Sequence, residues 1–160
     1  MSFTFTEEAE KKLDIILSKY PNKKAALLPA LWLAQEENGG WLSRDTMKHV
    51  ASRLELTPAD VEGVATFYTM YNKAPIGKFH LEVCHNIVCM VLGADQLIEH
   101  MGQKLGIAKG ETTGDRKFTL NGAECLGACA NAPCMMVGDT YYEDLTPAKV
   151  DQILDDLSRR

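Results

Sequence analysis

The sequence lacks the features that mark several large classes of protein. No apolar stretch approaches the roughly 18 residues that a membrane span needs. The longest charge-free stretch of the first half runs from Ala25 up to, but not including, Glu36 and is interrupted by Pro29. The chain also begins without a basic segment followed by an apolar one, as a signal peptide would have, and it is too acidic there for a transit peptide. We therefore expect a cytoplasmic protein that does not insert into the membrane.

Clustered basic residues are missing as well. The 17 basic and 22 acidic side chains give a net charge of −5, and the longest basic runs are pairs such as Lys23-Lys24. Phosphate-binding surfaces need clustered Lys and Arg, so nucleic acid is not an expected partner. The sequence has neither G-x-G-x-x-G nor a P-loop, which argues against NADH binding by this chain alone. No convincing pair of nucleophile and base is present, and we expect no catalytic residue.

The composition is that of an ordinary folded protein: 160 residues, of which 46% are hydrophobic, enough for one domain or two small ones. The hydrophobic pattern changes near Pro75-Ile76-Gly77, and this predicts domains at 1–75 and 76–160. Apolar residues of the first domain recur at helical spacing, with helix-capping signals at Ser43 and Thr57. The predicted helices of this bundle are 6–20, 23–37, 44–54 and 58–67.

The second domain shows strand and helix patterns together. Alternation from Phe79 to Val83 predicts a strand, and an apolar stripe from Val88 to Leu105 predicts one helix after it. Further predicted strands and a last helix are 118–120, 135–137, 140–142 and a segment starting at Thr146. The order β-α-β-β-β-α indicates an α/β fold with a small mixed sheet.

All five cysteines fall in the second domain, which is also the more acidic one, with 8 basic and 12 acidic residues from 78 to 160. Four of them form two pairs, Cys84-x4-Cys89 and Cys125-x3-Cys129, separated by 35 residues. Each pair lies in a loop just after a predicted strand. Strands that leave the same edge of a sheet bring their loops together, so the four thiolates are expected to converge on one site.

The cysteines could form a disulfide framework, a redox-active dithiol, a structural zinc site or an iron–sulfur centre. The odd count and the reducing cytosol disfavour a disulfide framework. A thioredoxin-type dithiol has the spacing C-x-x-C, which neither pair shows. A structural zinc site usually has closer ligand spacing. The wider gaps suit a binuclear iron–sulfur centre, in which each iron takes two protein sulfurs. Gly127 fits this interpretation because it allows backbone N–H groups to approach sulfur, but it also suits an ordinary turn.

Several motifs together resemble a known family. They are GVATFYTMY at 63–71, PIGK at 75–78, C-x4-C from Cys84, and ECLGACANAP at 124–133. This combination is similar to the thioredoxin-like [2Fe–2S] ferredoxins that form the E subunit of NADH-quinone oxidoreductase, respiratory complex I. The resemblance spans nearly the whole chain. It implies a thioredoxin-like mixed-sheet [2Fe–2S] domain preceded by a partner-docking helical bundle.

The resemblance also implies a site and a function. It gives Cys84, Cys89, Cys125 and Cys129 as the metal ligands of one [2Fe–2S] cluster, whereas Cys134 departs from the family pattern and is expected to be a buried spare thiol. The implied function is one-electron exchange with the FMN of the NADH-binding flavoprotein, which is the F subunit of that complex. The resulting heterodimer would join other peripheral-arm subunits at the inner face of the cell membrane. The chain would therefore serve an NADH dehydrogenase without being catalytic alone.

Two alternative functions stay open at this point. The same family serves NAD-linked hydrogenases and formate dehydrogenases, so the chain can belong to an equivalent diaphorase. A zinc-stabilised interaction module is the alternative from another class. Among the aromatic residues before the boundary, we expect Phe67, Tyr68 and Tyr71 to close the helical core rather than to form a docking surface.

Overall fold

The computed structural model describes residues 3–160. The chain divides into two compact units between Pro75 and Ile76. Within the described residues, no helix has the length and apolar character that crossing a membrane requires. Each unit has its own buried apolar core, and the two are described separately below.

In its described part, residues 3–75, the first unit has four α-helices and one short 3-10 turn. Local signals explain where the helices begin: the Ser43 hydroxyl accepts the Thr46 N–H at 3.0 Å, and Thr57 with Asp60 forms a reciprocal capping box. The predicted helix 23–37 is a 3-10 turn, Lys24–Ala26, followed by a regular helix. The α-helices are α1 (Glu7–Ser18), α2 (Leu27–Glu37), α3 (Arg44–Leu54) and α4 (Pro58–Phe67).

The aromatic residues at the end of the first unit do not all join its core, and the expectation for them was only partly right. Tyr71 is buried, and its hydroxyl donates to the Leu28 carbonyl at 2.8 Å. Phe67 is 78% exposed and Tyr68 is 39% exposed. Phe67 is the last residue of α4, and the core-facing positions of that helix are taken by Val61 and Ala65. The prediction of core packing was therefore wrong for Phe67 and Tyr68.

The second unit is a four-stranded mixed sheet with three helices, as the resemblance implied. The strand order is β2-β1-β3-β4, with β1 parallel to β2 and the other two pairs antiparallel. The strands are β1 (Phe79–Cys84), β2 (Phe118–Ala123), β3 (Met135–Val137) and β4 (Thr140–Tyr142). Because β1 and β2 are parallel with Cys84 opposite Ala123, both strands end at the same edge of the sheet.

The segment between β1 and β2 differs from its prediction. The single expected helix is two helices, α5 (Ile87–Val91) and α6 (Ala94–Leu105), separated at Gly93 with φ +97°. A left-handed residue cannot continue a right-handed helix, and glycine adopts this conformation without steric cost. The break lets α6 turn its apolar face to the sheet, while α5 follows directly after the end of β1. A last helix, α7 (Pro147–Ser158), follows Thr146 as predicted.

Candidate metal centre

The C-terminal ends of β1 and β2 place the first cysteine pair next to the loop that carries the second. The Cys84 residue ends β1, and the chain after β2 reaches Cys125 two residues beyond Ala123. The His85 N–H donates to the Ala123 carbonyl at 3.1 Å, which extends the β1–β2 ladder by one bond. The parallel register therefore aligns the two loops.

A side chain also joins these loops directly. The Asn86 amide nitrogen donates to the Glu124 carbonyl at 2.7 Å, while its amide oxygen accepts the Ile87 N–H at 2.8 Å and begins α5. A single asparagine therefore fixes the start of the helix that carries Cys89 and the start of the loop that carries Cys125. Bonds between two loops of this kind hold ligand-bearing segments in place before any metal is bound.

The ring of His85 lies between the same two loops. A Cβ atom at Gly122 would come within 2.6 Å of the His85 ring, so the absence of a side chain there makes room for it. The His85 Nε2 is 3.8 Å from a carboxylate oxygen of the exposed Glu124. This histidine is a packing element of the site and not a freely solvated loop residue.

The loop that follows β2 turns back over the first pair through Gly127, whose φ of +74° is left-handed. This agrees with the expectation for Gly127. The Tyr141 hydroxyl donates to the Leu126 carbonyl at 2.9 Å and holds the turn from the β4 side. Leu126 and Ala128 pack against the buried Cys84 and Cys89, so the turn covers the first pair with small and apolar side chains.

The five thiols are not equally placed. Cys84, Cys89 and Cys134 are buried, and their three sulfur atoms all lie within 4.8 Å of one another. Cys125 and Cys129 are exposed and lie outside this group. The structure therefore brings the first predicted pair together and places the second pair on the adjoining loop, with its thiols open to solvent.

Cys134 is the member of this group that the sequence did not assign to the site. Its carbonyl accepts the Cys84 N–H at 3.0 Å, and its sulfur is 4.0 Å from that of Cys89. The residue immediately precedes β3, which pairs with β1. Its proximity to Cys84 thus depends on sheet pairing between distant segments, and no local spacing signals it.

The surroundings set different proton affinities on the three buried thiols. Burial disfavours the Cys84 thiolate, but the N–H groups of Asn86 and Leu126 outweigh burial and lower the pKa of Cys84 below its ordinary value. Burial raises the pKa of Cys89. Burial, with a smaller contribution from Cys89, raises the pKa of Cys134 to about 12. Of the three buried thiols, only Cys84 therefore has a lowered pKa, and Cys134 stays protonated at neutral pH.

This arrangement suits a thiolate-ligated metal centre. Thiols from two adjoining loops, nearby backbone N–H groups that lower the pKa of Cys84, and a covering of small residues are what an iron–sulfur site requires. A disulfide framework does not fit, since all five cysteines are free thiols. The class of protein defined by this sheet and these thiols is a small iron–sulfur carrier.

Comparisons with known proteins identify the family. The family model for thioredoxin-like [2Fe–2S] ferredoxins matches residues 13–158. The chain belongs to the thioredoxin-like [2Fe–2S] ferredoxin family, as the sequence resemblance indicated, and its cofactor is a [2Fe–2S] cluster.

Named relatives cover almost the whole chain. The E subunit of NADH-quinone oxidoreductase from Rickettsia bellii is 45% identical over 158 residues, which are 98% of this chain and 95% of that protein. Mitochondrial NADH dehydrogenase [ubiquinone] flavoprotein 2 of Dictyostelium discoideum is 46% identical over 97% of this chain and 64% of that protein. These proteins are subunits of NADH dehydrogenases, which supports the classification as an oxidoreductase subunit.

A solved structure shares the fold. The crystal structure of an NAD+-reducing [NiFe]-hydrogenase in the H2-reduced state matches 84% of this chain with a TM-score of 0.73 and 20% sequence identity. This chain spans 22% of the matched hydrogenase chain. At this identity, the likeness concerns the fold alone.

Proposed function

We propose that this chain is the electron-transfer subunit of an NADH-quinone oxidoreductase, where it holds a [2Fe–2S] cluster near the FMN of the NADH-binding flavoprotein subunit. The observation that carries the proposal is the 45% identity to the E subunit from Rickettsia bellii over 95% of that protein. Similarity along the full length of both chains favours the same role in the same kind of complex. As a component of that complex, the chain would lie peripheral to the inner face of the cell membrane.

Four thiols would hold the cluster: Cys84 and Cys89 from the first loop, Cys125 and Cys129 from the second. When bound, a [2Fe–2S] cluster supplies one-electron storage beside the two-electron chemistry of NADH and FMN. The protein's own part is to fix the two loops through Asn86 and to lower the pKa of Cys84 through nearby backbone N–H groups. No residue for NADH binding or proton transfer is assigned, and we infer that the subunit has no NADH dehydrogenase activity alone.

The ligand set is tested by replacing each cysteine with alanine and measuring iron and acid-labile sulfide after anaerobic reconstitution. Loss of the cluster in the Cys125→Ala and Cys129→Ala variants, with far-UV circular dichroism unchanged, supports the set. Both thiols are exposed, so their removal leaves no buried cavity that would unfold the protein. Two irons and two sulfides retained in either variant would show that its cysteine is not a ligand.

An exposed apolar surface lies next to the first cysteine pair. In and just after α5, Ile87 is 67% exposed, Val91 is 75% exposed and Leu92 is 55% exposed, while Cys89 on the same helix is buried. Exposed apolar residues of this kind are typical of protein interfaces. We infer that the flavoprotein subunit covers this surface, because the carrier must bring its centre close to the electron donor.

The first unit carries a second exposed apolar surface, and we infer that it is a docking surface of the helical bundle. Phe67 and Tyr68 are exposed at the end of α4, with their rings 5.0 Å apart in an edge-to-face pair. Aromatic pairs on a surface are common anchors of protein–protein interfaces. Both proposed surfaces therefore consist of apolar side chains that the isolated chain leaves in water.

Co-purification tests the assignment and the surfaces together. The tagged chain, expressed in its own host, is expected to recover an FMN-containing, NADH-oxidising subunit. Val91→Glu and Phe67→Glu should each reduce this recovery at least tenfold, because a buried charge opposes association. Gln152→Glu, an exposed change on α7, adds the same charge at a residue that belongs to neither proposed surface and should have no effect.

The outcome also separates the alternative functions. Recovery of hydrogenase or formate dehydrogenase subunits would assign the chain to another NAD-linked complex. A colourless protein with one zinc ion and no acid-labile sulfide would contradict the electron-transfer role altogether.

A further inference from the structure

The three buried thiols form a group that overlaps the four-cysteine ligand set but differs from it in its third member. The exposed fractions of Cys84, Cys89 and Cys134 are 3%, 2% and 0%, and all three sulfur atoms lie within 4.8 Å of one another. Only two of these residues belong to the proposed cluster ligands. Cys134 takes the third position from the β3 side, where neither Cys125 nor Cys129 is found.

The spacing of the sulfur atoms fits a single ion. In a tetrahedral zinc–thiolate site the Zn–S distance is about 2.3 Å, which places two ligand sulfurs about 3.8 Å apart. The Cys89 and Cys134 sulfurs are 4.0 Å apart, and the widest separation in the group is below 4.8 Å. Side-chain adjustments of less than about 1 Å therefore bring all three sulfurs to the zinc distance.

The backbone keeps the three thiols in this arrangement without any metal. The Cys84 N–H donates to the Cys134 carbonyl at 3.0 Å, and β1 pairs with β3 directly beyond them. Cys89 is held by α5, which begins at Asn86. Ala94, Leu126 and Ala132 pack around the group and offer no competing polar ligand. A preorganised set of soft donors in an apolar lining favours a soft d10 cation over Mg²⁺ or Ca²⁺.

We propose that the cluster-free protein binds one Zn²⁺ ion through the sulfurs of Cys84, Cys89 and Cys134. Three S–H bonds break and three Zn–S bonds form, so one Zn²⁺ enters and three protons leave. The remaining tetrahedral position is open to water. Because two of the three thiols are proposed cluster ligands, bound zinc prevents cluster assembly; this last point rests on the proposed function, whereas the zinc site itself does not.

The test uses full-length, cluster-free protein under anaerobic conditions, with Cd²⁺ as the spectroscopic probe and Zn²⁺ as its competitor. We expect one Cd²⁺ per chain, detected by sulfur-to-cadmium charge-transfer absorption, and its displacement by Zn²⁺. Cys134→Ala should weaken binding of both ions at least tenfold. Cys129→Ala is the matched control, since it also removes one of the five thiols, and it should leave the affinity unchanged.

Cys134 is fully buried, so Cys134→Val serves as a second variant that fills the space without providing a ligand. Amide hydrogen exchange of β1 and β3 reports whether either variant stays folded. If the folded Cys134 variants bind Cd²⁺ as tightly as the natural protein, or if Cys129→Ala weakens binding as much as they do, the zinc site is refuted.

Cluster reconstitution distinguishes failure of this inference from failure of the proposed function. Cys134→Ala and Cys134→Val should assemble two irons and two sulfides per chain. One equivalent of Zn²⁺ added beforehand should slow cluster assembly in the natural protein by a factor at least ten times larger than in these variants. If both folded variants lose the cluster, Cys134 is a cluster ligand and the single-ion site is overturned. If the natural protein binds zinc but never assembles a cluster, the proposed function fails and the zinc site stands.

Discussion

Gly77, just before β1, is the position at which one methyl group should disturb the strand pair that carries the metal site. A Cβ atom there would lie 2.8 Å from the backbone N and C atoms of Phe118. An ordinary contact begins at 3.4 Å, so Gly77→Ala requires β1 and β2 to separate locally by about 0.6 Å. These atoms are backbone within a parallel ladder and cannot rotate away as a side chain can.

The cost has two parts. Overpacking in a closed site costs about 1–3 kcal/mol. Separation also stretches the buried bond in which the Gly77 N–H donates to the Thr119 hydroxyl at 2.6 Å, worth about 0.5–1.5 kcal/mol. The second unit should therefore lose about 2–4 kcal/mol of unfolding free energy. Because β1 leads directly to Cys84, the variant should also release iron faster to a chelator.

The assay must observe the second unit alone. Both tryptophans, Trp32 and Trp41, belong to the first unit, so their fluorescence reports only that unit and should be unchanged by Gly77→Ala. Amide hydrogen exchange of β1 and β2, resolved by mass spectrometry, measures the second unit. Gly63→Ala in α4 is the matched control: no atom lies within 4 Å of its new methyl, and alanine should stabilise the first unit by about 0.5–1 kcal/mol. Unaltered exchange in Gly77→Ala would refute the reasoning.

Three further predictions concern single side chains. Tyr71→Phe removes a buried hydroxyl that donates to Leu28 and should cost the first unit about 1 kcal/mol in denaturant titrations followed by tryptophan fluorescence; a change below about 0.3 kcal/mol would contradict this. Asn86→Ala breaks the link between the two loops and should accelerate iron loss to a chelator, while Asn22→Ala, which removes a similar capping bond in the first unit, should not. Burial lowers the pKa of His80, and Glu82 opposes this shift more weakly. As the pH falls below about 6.5, His80 therefore binds a proton in the unfolded chain but stays neutral in the folded one. Hydrogen exchange should therefore show the second unit losing stability from pH 7 to pH 5, by at most about 1.4 kcal/mol per pH unit, and His80→Gln should flatten this slope.

Local signals account for what the sequence predicted well. The helices at 44–54 and 58–67 have the predicted bounds. Their starts were predictable because the capping residues, Ser43 and the Thr57–Asp60 box, lie at the helix start in the sequence. The strand at Phe79 was equally clear, since period-two alternation is local as well. The hairpin between β3 and β4 turns at Gly138 with φ +58°, as its Gly-Asp pair indicated.

The errors arise where the outcome depends on distant parts of the chain. The apolar run from Val88 to Leu105 looked continuous, but Gly93 divides it and leaves Val91 in water. Periodicity could not separate an apolar residue that faces a core from one that faces solvent. The position of Cys134 beside Cys84 likewise depends on β1–β3 pairing, which no short segment encodes.

The parallel pairing of β1 with β2 has a consequence for how the mature protein is made. The two cysteine pairs are 35 residues apart in sequence and become neighbours only after the crossover through α6 has closed. A nascent chain that ends before Phe118 carries two of the five thiols and no β2 strand to pair with β1. With the proposed ligand set, a cluster can therefore form only after β2 has been made and has paired with β1. Folding of the second unit would then precede cluster assembly.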